Sequence, residues 1–197
     1  MRKAKGVAQL RRSTGTGTVS PLRASLIFKS QWGWIGIVET ANGIARIVFP
    51  QSSRASVLAS LHAGEGNVWV EAVSPRLRKA KNQLTEYMAG TRKRFRLPLD
   101  LKEGTKFQRR VWTVLQAVRY GELRSYQELA ARVGGRHFAR AVGGAVGSNP
   151  LPIVIPCHRI VAQDGSLGGF SCGLPAKRRL LAIEGSLSRL RRNGQRS

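Results

Sequence analysis

Cys157 is the side chain whose type and setting point most directly to chemistry, because a thiolate is a strong nucleophile. It stands in Pro156-Cys157-His158-Arg159, after the apolar run Leu151-Pro152-Ile153-Val154-Ile155. Pro150 and Pro152 exclude helix, so an extended, buried segment delivers the cysteine. A cysteine at the end of such a run is more often an inert core residue. Here His158 and Arg159 adjoin it, and two potential cations lower a thiol pKa from about 8.5 toward neutrality, enriching the thiolate. Neighbours in an extended segment point to opposite faces, so His158 reaches Cys157 only through a bend at Pro156 or a bridging water.

The remaining candidates narrow the class. Cys172 is the only other thiol, and with no Cys-x-x-Cys pair the chain has neither a disulfide framework nor a redox motif. His62, His137 and His158 lack zinc-ligand spacing, so no metal and no cofactor are expected. No apolar run is long enough to span a bilayer, and no membrane partner is expected. Lys and Arg number 34 against 10 Asp and Glu, a formal net charge of +24. Self-repulsion of that size destabilises a fold, and with 42% hydrophobic residues still present it points to a polyanionic partner, nucleic acid above all. Met1 to Ser25 is basic, rich in Ser and Thr, and lacks the apolar centre of a secretory signal. It reads as a tail that hugs DNA, with a mitochondrial-type presequence as the alternative.

Four segments are expected to position these residues: a basic tail over 1–22, an α/β domain over 23–100, a second domain over 101–186 and a basic tail over 187–197. The boundary between domains falls around Pro98 to Gly104. Trp34 to Thr40 and Ile44 to Phe49 are β-branched runs flanking Asn42-Gly43, a hairpin signal because both residues accept positive φ, and Pro50 is expected to end the second strand. Val68 to Val73 reads as a third strand. From Pro75, Leu77, Ala80, Leu84, Tyr87 and Met88 fall at helical spacing, and Gly90 closes that helix.

The second half has sharper punctuation. Thr105 to Gln108 has capping-box form, and Phe107, Val111, Leu115 and Val118 mark the buried stripe of a helix expected to stop at Gly121. Ser125 to Glu128 is a second capping box, followed by the break Gly134-Gly135 and a third helix over Phe138 to Ser148. Helix, tight glycine turn and helix outline a helix-turn-helix, although an ordinary helical hairpin reads the same way. Gly143, Gly144 and Gly147 lie inside the third helix, where each costs about 1 kcal/mol relative to Ala. Close approach of another backbone, from the core or from a DNA groove, accounts for such glycines.

Pro156-Cys157-His158-Arg159 resembles the active-site signature of the O6-alkylguanine-DNA alkyltransferases, also called methylated-DNA–protein-cysteine methyltransferases. Gly104 to Gln108, Val111-Trp112, Tyr120 to Glu122, Ser125 to Ala130, Arg140 to Ala145, Asn149-Pro150, Gly168 to Phe170, Lys177, Leu180-Leu181 and Glu184-Gly185 resemble family motifs in order and spacing. The likeness covers about Leu84 to Gly185 closely and the earlier hairpin more loosely.

The resemblance implies an α+β fold, with an N-terminal ribonuclease-H-like α/β domain and a mostly helical C-terminal domain like a winged helix-turn-helix. It implies a suicide S-methyltransferase that moves the alkyl group from O6-alkylguanine, and from O4-alkylthymine, in double-stranded DNA onto Cys157. The second helix of the motif would enter the minor groove and the damaged nucleotide would be flipped out. Glu184 would orient His158, His158 would activate Cys157 through a water, and Asn149 would hold the tyrosine and the loop. Tyr126 would turn the phosphate and donate to N3 of the flipped base. Arg140 would fill the vacated space, with Gln108, Gln127 and Gly143 against DNA. Ser171, Phe170, Ile160 and Pro152 would line the substrate pocket. A monomer is expected, cytoplasmic and at the nucleoid in a bacterium, nuclear or mitochondrial in a eukaryote.

Cys172 departs from the glycine common in the family and admits three readings: a second acceptor, a redox partner of Cys157, or a small residue in a glycine's place. The third is favoured, because no His or Lys adjoins Cys172. Two other classes share features of the sequence. A Cys-His hydrolase leaves the glycine-rich helix and the charge unexplained, and the non-catalytic alkyltransferase-like proteins replace the cysteine that is present here.

Overall fold

The computed structural model describes residues 23–63 and 69–193 of the 197-residue chain. The basic segment 1–22, the start of the third expected strand at Val68 and the last four residues lie outside them. The expected α+β architecture is observed, with a sheet-rich first half and a helix-rich second half.

Three antiparallel strands, β1 (Arg23–Ser30), β2 (Gly33–Glu39) and β3 (Ile44–Gln51), form most of the first sheet. The short β4 (Trp69–Glu71) pairs parallel to β1, giving the order β3-β2-β1-β4. Asn42-Gly43 turns β2 into β3 as expected, closed by Thr40 N donating to Gly43 O at 2.9 Å. β1 begins at Arg23, at the expected start of the α/β domain, in a stretch that the sequence does not mark as a strand. β3 continues through Pro50 to Gln51. A helix that periodicity does not announce, α1 (Arg54–His62), follows it.

Both faces of the sheet are buried. Ile27, Val38 and Val48 meet Val57 and Leu61 of α1 on one side. Leu26, Phe28, Ile35, Ile37, Ile47 and Phe49 face α2 (Pro75–Met88) and the second half on the other. Gly36 permits the first contact, since a Cβ there would stand 2.7 Å from Val57 Cγ1. The second face runs without a break into the second half, so one apolar core extends from Leu26 to Cys157 and Leu180. The connector is tied down as well: Ile44 N donates to Pro98 O and Asp100 N to Ile44 O, each at 2.9 Å.

The second half begins with α3 (Lys106–Gln116), opened by the expected Thr105–Gln108 capping box. It ends at Gln116 rather than at Gly121. Ala117 caps it, and Gly121 serves a later turn at φ +74°. The second capping box opens α4 (Tyr126–Val133), and one turn of 3-10 helix, Arg136–Phe138, leads into α5 (Ala139–Gly147). The two-residue strands β5 (Arg124–Ser125) and β6 (Ile160–Val161) pair parallel beside this motif. α6 (Leu174–Ile183) follows. The segment expected as a C-terminal tail instead starts with α7 (Leu187–Asn193).

Trp112 fixes α5 against α3. It is buried, and its Nε1–H donates to Ala145 O at 2.8 Å. Gly104 makes room for its ring, because a Cβ there would overlap Trp112 Cζ3 and lie 2.6 Å from Cη2. Gly104→Ala must therefore displace the ring and is expected to destabilise the protein by about 1–3 kcal/mol. Urea unfolding checks this, and an unchanged midpoint would contradict the packing role.

Candidate active site and nucleic-acid interface

The segment Leu151 to Ile155 folds as a buried turn, closed by Ile155 N donating to Leu151 O at 2.9 Å. Ile153 sits at φ +75°, a strained conformation for a β-branched residue, and costs of the order of 1–3 kcal/mol. Asn149 holds the turn at both ends. Its Oδ1 accepts from Leu151 N at 3.0 Å, and its Nδ2 donates to Ile155 O at 2.8 Å. Ile47 N donates to Pro150 O at 2.9 Å, so β3 of the first half also braces the turn.

Pro156 ends this turn, and Cys157–Arg159 form one turn of 3-10 helix. Successive side chains in such a turn fan out about 120° apart, which sends Cys157 to Asn149 while His158 and Arg159 meet Glu184. Cys157 Sγ lies 3.0 Å from Asn149 Nδ2. His158 Nε2 lies 3.0 Å from Glu184 Oε1, and Arg159 grips both Glu184 oxygens, with Nη2 at 2.7 Å from Oε1 and Nε at 3.0 Å from Oε2. Asn149 therefore touches the nucleophile and the turn. Its amide group is taken up by these partners and makes no hydrogen bond to Tyr126, contrary to part of its expected role.

Electrostatics at the thiol also reverse an expectation. Arg159 is committed to Glu184 and to Val118 O at 2.6 Å, so it gives the thiol no cation of its own. Burial pushes the Cys157 thiol up to about 11, against the opposing hydrogen bond from Asn149. Burial likewise lowers the His158 pKa, outweighing the pull of Glu184, and keeps the ring neutral. Burial alone would raise the Glu184 carboxyl, but hydrogen bonds from His158 and Arg159 hold it at about 2. A carboxylate facing Nε2 requires the proton there. Nδ1, buried and without a hydrogen-bond partner, is left as a free lone pair.

Tyr87 is not legible as a member of this site in the sequence, and Lys177 stands there only as a motif residue without a role. Tyr87, fully buried on α2, donates its hydroxyl to Glu184 Oε1 and stands 3.2 Å from His158 Nε2. Sequence periodicity marks it only as core. Lys177, fully buried on α6, directs its ammonium to the carbonyls of Ile160, Leu167 and Gly169. Burial lowers its pKa to about 8, against the pull of Cys157. A lysine in the interior stripe of α6 is the available signal.

The loop that Lys177 pins forms the shelf for Tyr126, at the first position of α4. The Tyr126 hydroxyl donates to Gly169 O at 3.3 Å, and a Cβ on Gly168, at φ +63°, would stand 3.2 Å from its ring. Burial and then the nearby Cys157 raise its pKa. Of the four expected pocket residues, Pro152 and Ser171 line a cleft of about 550 Å³ between β3, α3 and the end of α5, and neither Cys157 nor Tyr126 lines that cleft. Phe170 packs edge-on to Phe49 at 6.3 Å. Ile160 is fully buried, so it is core and not a pocket wall. Both cysteines are free thiols.

Arg140 is exposed on the first turn of α5 and makes no hydrogen bond or ion pair among the described residues. Gly144 and Gly147 on the same helix have nothing within 4 Å of where a Cβ would stand, and Gly143 meets only the Tyr126 ring at 3.9 Å. The core does not account for these glycines. Gln127 is exposed on α4, whereas Gln108 is half-buried and bonded to Thr105 N and, at 2.9 Å, to Ser148 Oγ. Among the described residues, no group of three His, Cys, Asp or Glu could hold a metal ion, and no helix is long and apolar enough to cross a membrane.

The chain is similar to known proteins in sequence and in fold. Residues 106–186 match the family described as 6-O-methylguanine DNA methyltransferase, DNA binding domain. The methylated-DNA–protein-cysteine methyltransferase of Mycolicibacterium paratuberculosis is 50% identical over 105 residues, 53% of this chain and 63% of that protein. The constitutive enzyme of that name from Bacillus subtilis is 50% identical over 98 residues, 50% of this chain and 59% of its own. The match thus spans about three fifths of these relatives. The relative in Methanosarcina acetivorans is 44% identical over 118 residues, 60% of this chain and 74% of that protein. Among solved structures, Mycobacterium tuberculosis OGT in complex with DNA superposes with a TM-score of 0.70 at 34% identity, covering 83% of this chain and 94% of that one. On the matched motifs, the shared fold and these identities, the chain belongs to the methylated-DNA–protein-cysteine methyltransferase family.

Proposed function

We propose that this chain is a stoichiometric DNA-repair protein that takes the alkyl group from O6 of guanine in duplex DNA, and from O4 of thymine, onto Cys157. The observation that carries the reading is the meeting, at one turn, of a buried thiol, its Asn149 donor and a neutral His158 held by Glu184. That turn lies beside a helix-turn-helix whose second helix presents Arg140 and open glycines.

The O6 substituent is inaccessible inside the base stack, so the nucleotide is flipped out, with α5 in the minor groove and Arg140 in the vacated space. Gly143, Gly144 and Gly147 let the groove walls approach the helix. Gln127 and Gln108 lie toward the DNA backbone. The thiol, protonated at rest, gives its proton through a bridging water to Nδ1 of His158, and Glu184 stabilises the imidazolium. Sγ attacks the alkyl carbon, the S–C bond forms and the C–O6 bond breaks, and the electron pair leaves with the guanine. Tyr126 donates a hydrogen bond to N3 as that charge builds. Ser171 and Pro152 border the flipped base. Water has no carbonyl to attack in the thioether product, so each chain reacts once. The protein acts as a monomer in the compartment that holds the DNA, and Cys172 fills a glycine's place.

Intact mass after mixing with a duplex bearing O6-methylguanine is the direct test. A gain of one methyl per chain, absent in Cys157→Ala while that variant still binds the duplex, is expected. Methyl on Cys157→Ala, or repeated turnover, would overturn the assignment.

Glu184→Gln is expected to slow transfer and to destabilise the fold by about 3–5 kcal/mol, since it leaves the Arg159 charge buried and unpaired. The sign with pH follows from a carboxyl held at about 2, below its ordinary 4.5. The contribution is full above pH 4.5 and is lost as pH falls toward 2. Urea midpoints should drop across that window in the unaltered protein and less so in the variant. Equal slopes would contradict this account of Glu184.

A further inference from the structure

We propose that Phe138 is a second DNA-distorting side chain, an apolar wedge that stacks into the minor groove at the base step beside the lesion. The proposal rests on the reading of α5 as the groove-entering helix.

Phe138 ends the 3-10 turn that leads into α5, two residues before Arg140. It is 40% exposed, whereas Phe28 and Phe49 in the core are 6% and 8% exposed. The other exposed large hydrophobics among the described residues are the aliphatic Val70, Val73 and Leu174. The ring is held in place nonetheless. His137 packs against it with centroids 4.1 Å apart, and Phe107 of α3 supports it at 6.2 Å. The two glycines of the turn make room for this pair. A Cβ on Gly134 would stand 3.4 Å from the Phe138 ring, and one on Gly135, at φ +144°, would strike the His137 ring at 2.6 Å.

An aromatic ring that is rigidly supported on one side and bare on the other, at the mouth of a recognition helix, is built to receive a flat apolar surface. A base face exposed at an opened step offers one, and apolar side chains inserted there from the minor groove unstack the step and kink the duplex. Arg140 fills the space left by the flipped nucleotide, while Phe138 props open the neighbouring step. Arg136 and Arg140 flank the ring in sequence and bring phosphates to either side of it.

The test uses the full chain with Cys157 intact, as the unaltered protein, Phe138→Ala and Phe138→Leu. The substrate carries O6-methylguanine with 2-aminopurine at the adjacent base, offered as duplex and as single strand. Phe138→Ala is expected to lower the duplex transfer rate about tenfold, within the range set by losing one base–aromatic stack. It should also suppress the 2-aminopurine brightening on binding, leave the single-strand rate unchanged, and be largely rescued by Phe138→Leu. Equal losses on duplex and single strand would make Phe138 a residue of the fold, and an unchanged duplex rate would make it idle. Either result overturns the proposal while methyl on Cys157 upholds the alkyl-transfer reading. Absence of methyl on the unaltered chain from both substrates would remove that reading and this one together.

Discussion

The Glu184 carboxylate is the point at which the architecture is tied together. Glu184 is the C-terminal cap residue of α6 through its backbone N–H, and its carboxylate accepts hydrogen bonds from Tyr87 on α2, from His158 and Arg159 in the cysteine turn, and from Gly121 N at 3.1 Å after α3. A carboxylate taken out of water is tolerated only when its lone pairs are used, and here elements from both halves of the chain supply the donors. The arrangement has a chemical consequence as well as a structural one. An ionised Glu184 fixes the proton on Nε2 of His158 and leaves Nδ1 to act as a base.

The rest of the site follows from burial. The thiol, the imidazole and the Lys177 ammonium are all taken out of water, and burial displaces each toward its neutral form. A thiol held as S–H reacts slowly with adventitious electrophiles, whereas a bound substrate beside a poised base meets a nucleophile made on demand. Asn149 and the strained Ile153 show what this geometry costs the backbone, and the brace from Ile47 to Pro150 shows the first half sharing the load.

Features written in short stretches of sequence are legible. Both capping boxes, the Asn42-Gly43 hairpin, the α2 stripe and the cysteine signature depend on residues a few positions apart. Features that escape a sequence reading depend on distant partners or on weak patterns. β1 is hidden against a basic segment, and both its faces are buried, so it lacks polar alternation. α1 buries only Val57 and Leu61, too narrow a stripe to announce a helix. At the thiol, adjacency in sequence is not proximity in space: the 3-10 turn aims Arg159 at a carboxylate 25 positions away. Tyr87 joins the site across 97 positions, a pairing no local pattern encodes.

A thiol protonated at rest and served by a neutral base is the claim on which the mechanism turns. Thiolate absorbance followed against pH tests it directly, with Cys172→Ser used so that Cys157 is the only thiol, and with the signal of the same protein carrying Cys157→Ala subtracted to remove the tyrosinate contribution. The thiolate signal should be absent at neutral pH and rise only toward pH 11. A thiolate already formed at or below neutral pH would contradict the account and return Cys157 to an ion pair with a neighbouring cation.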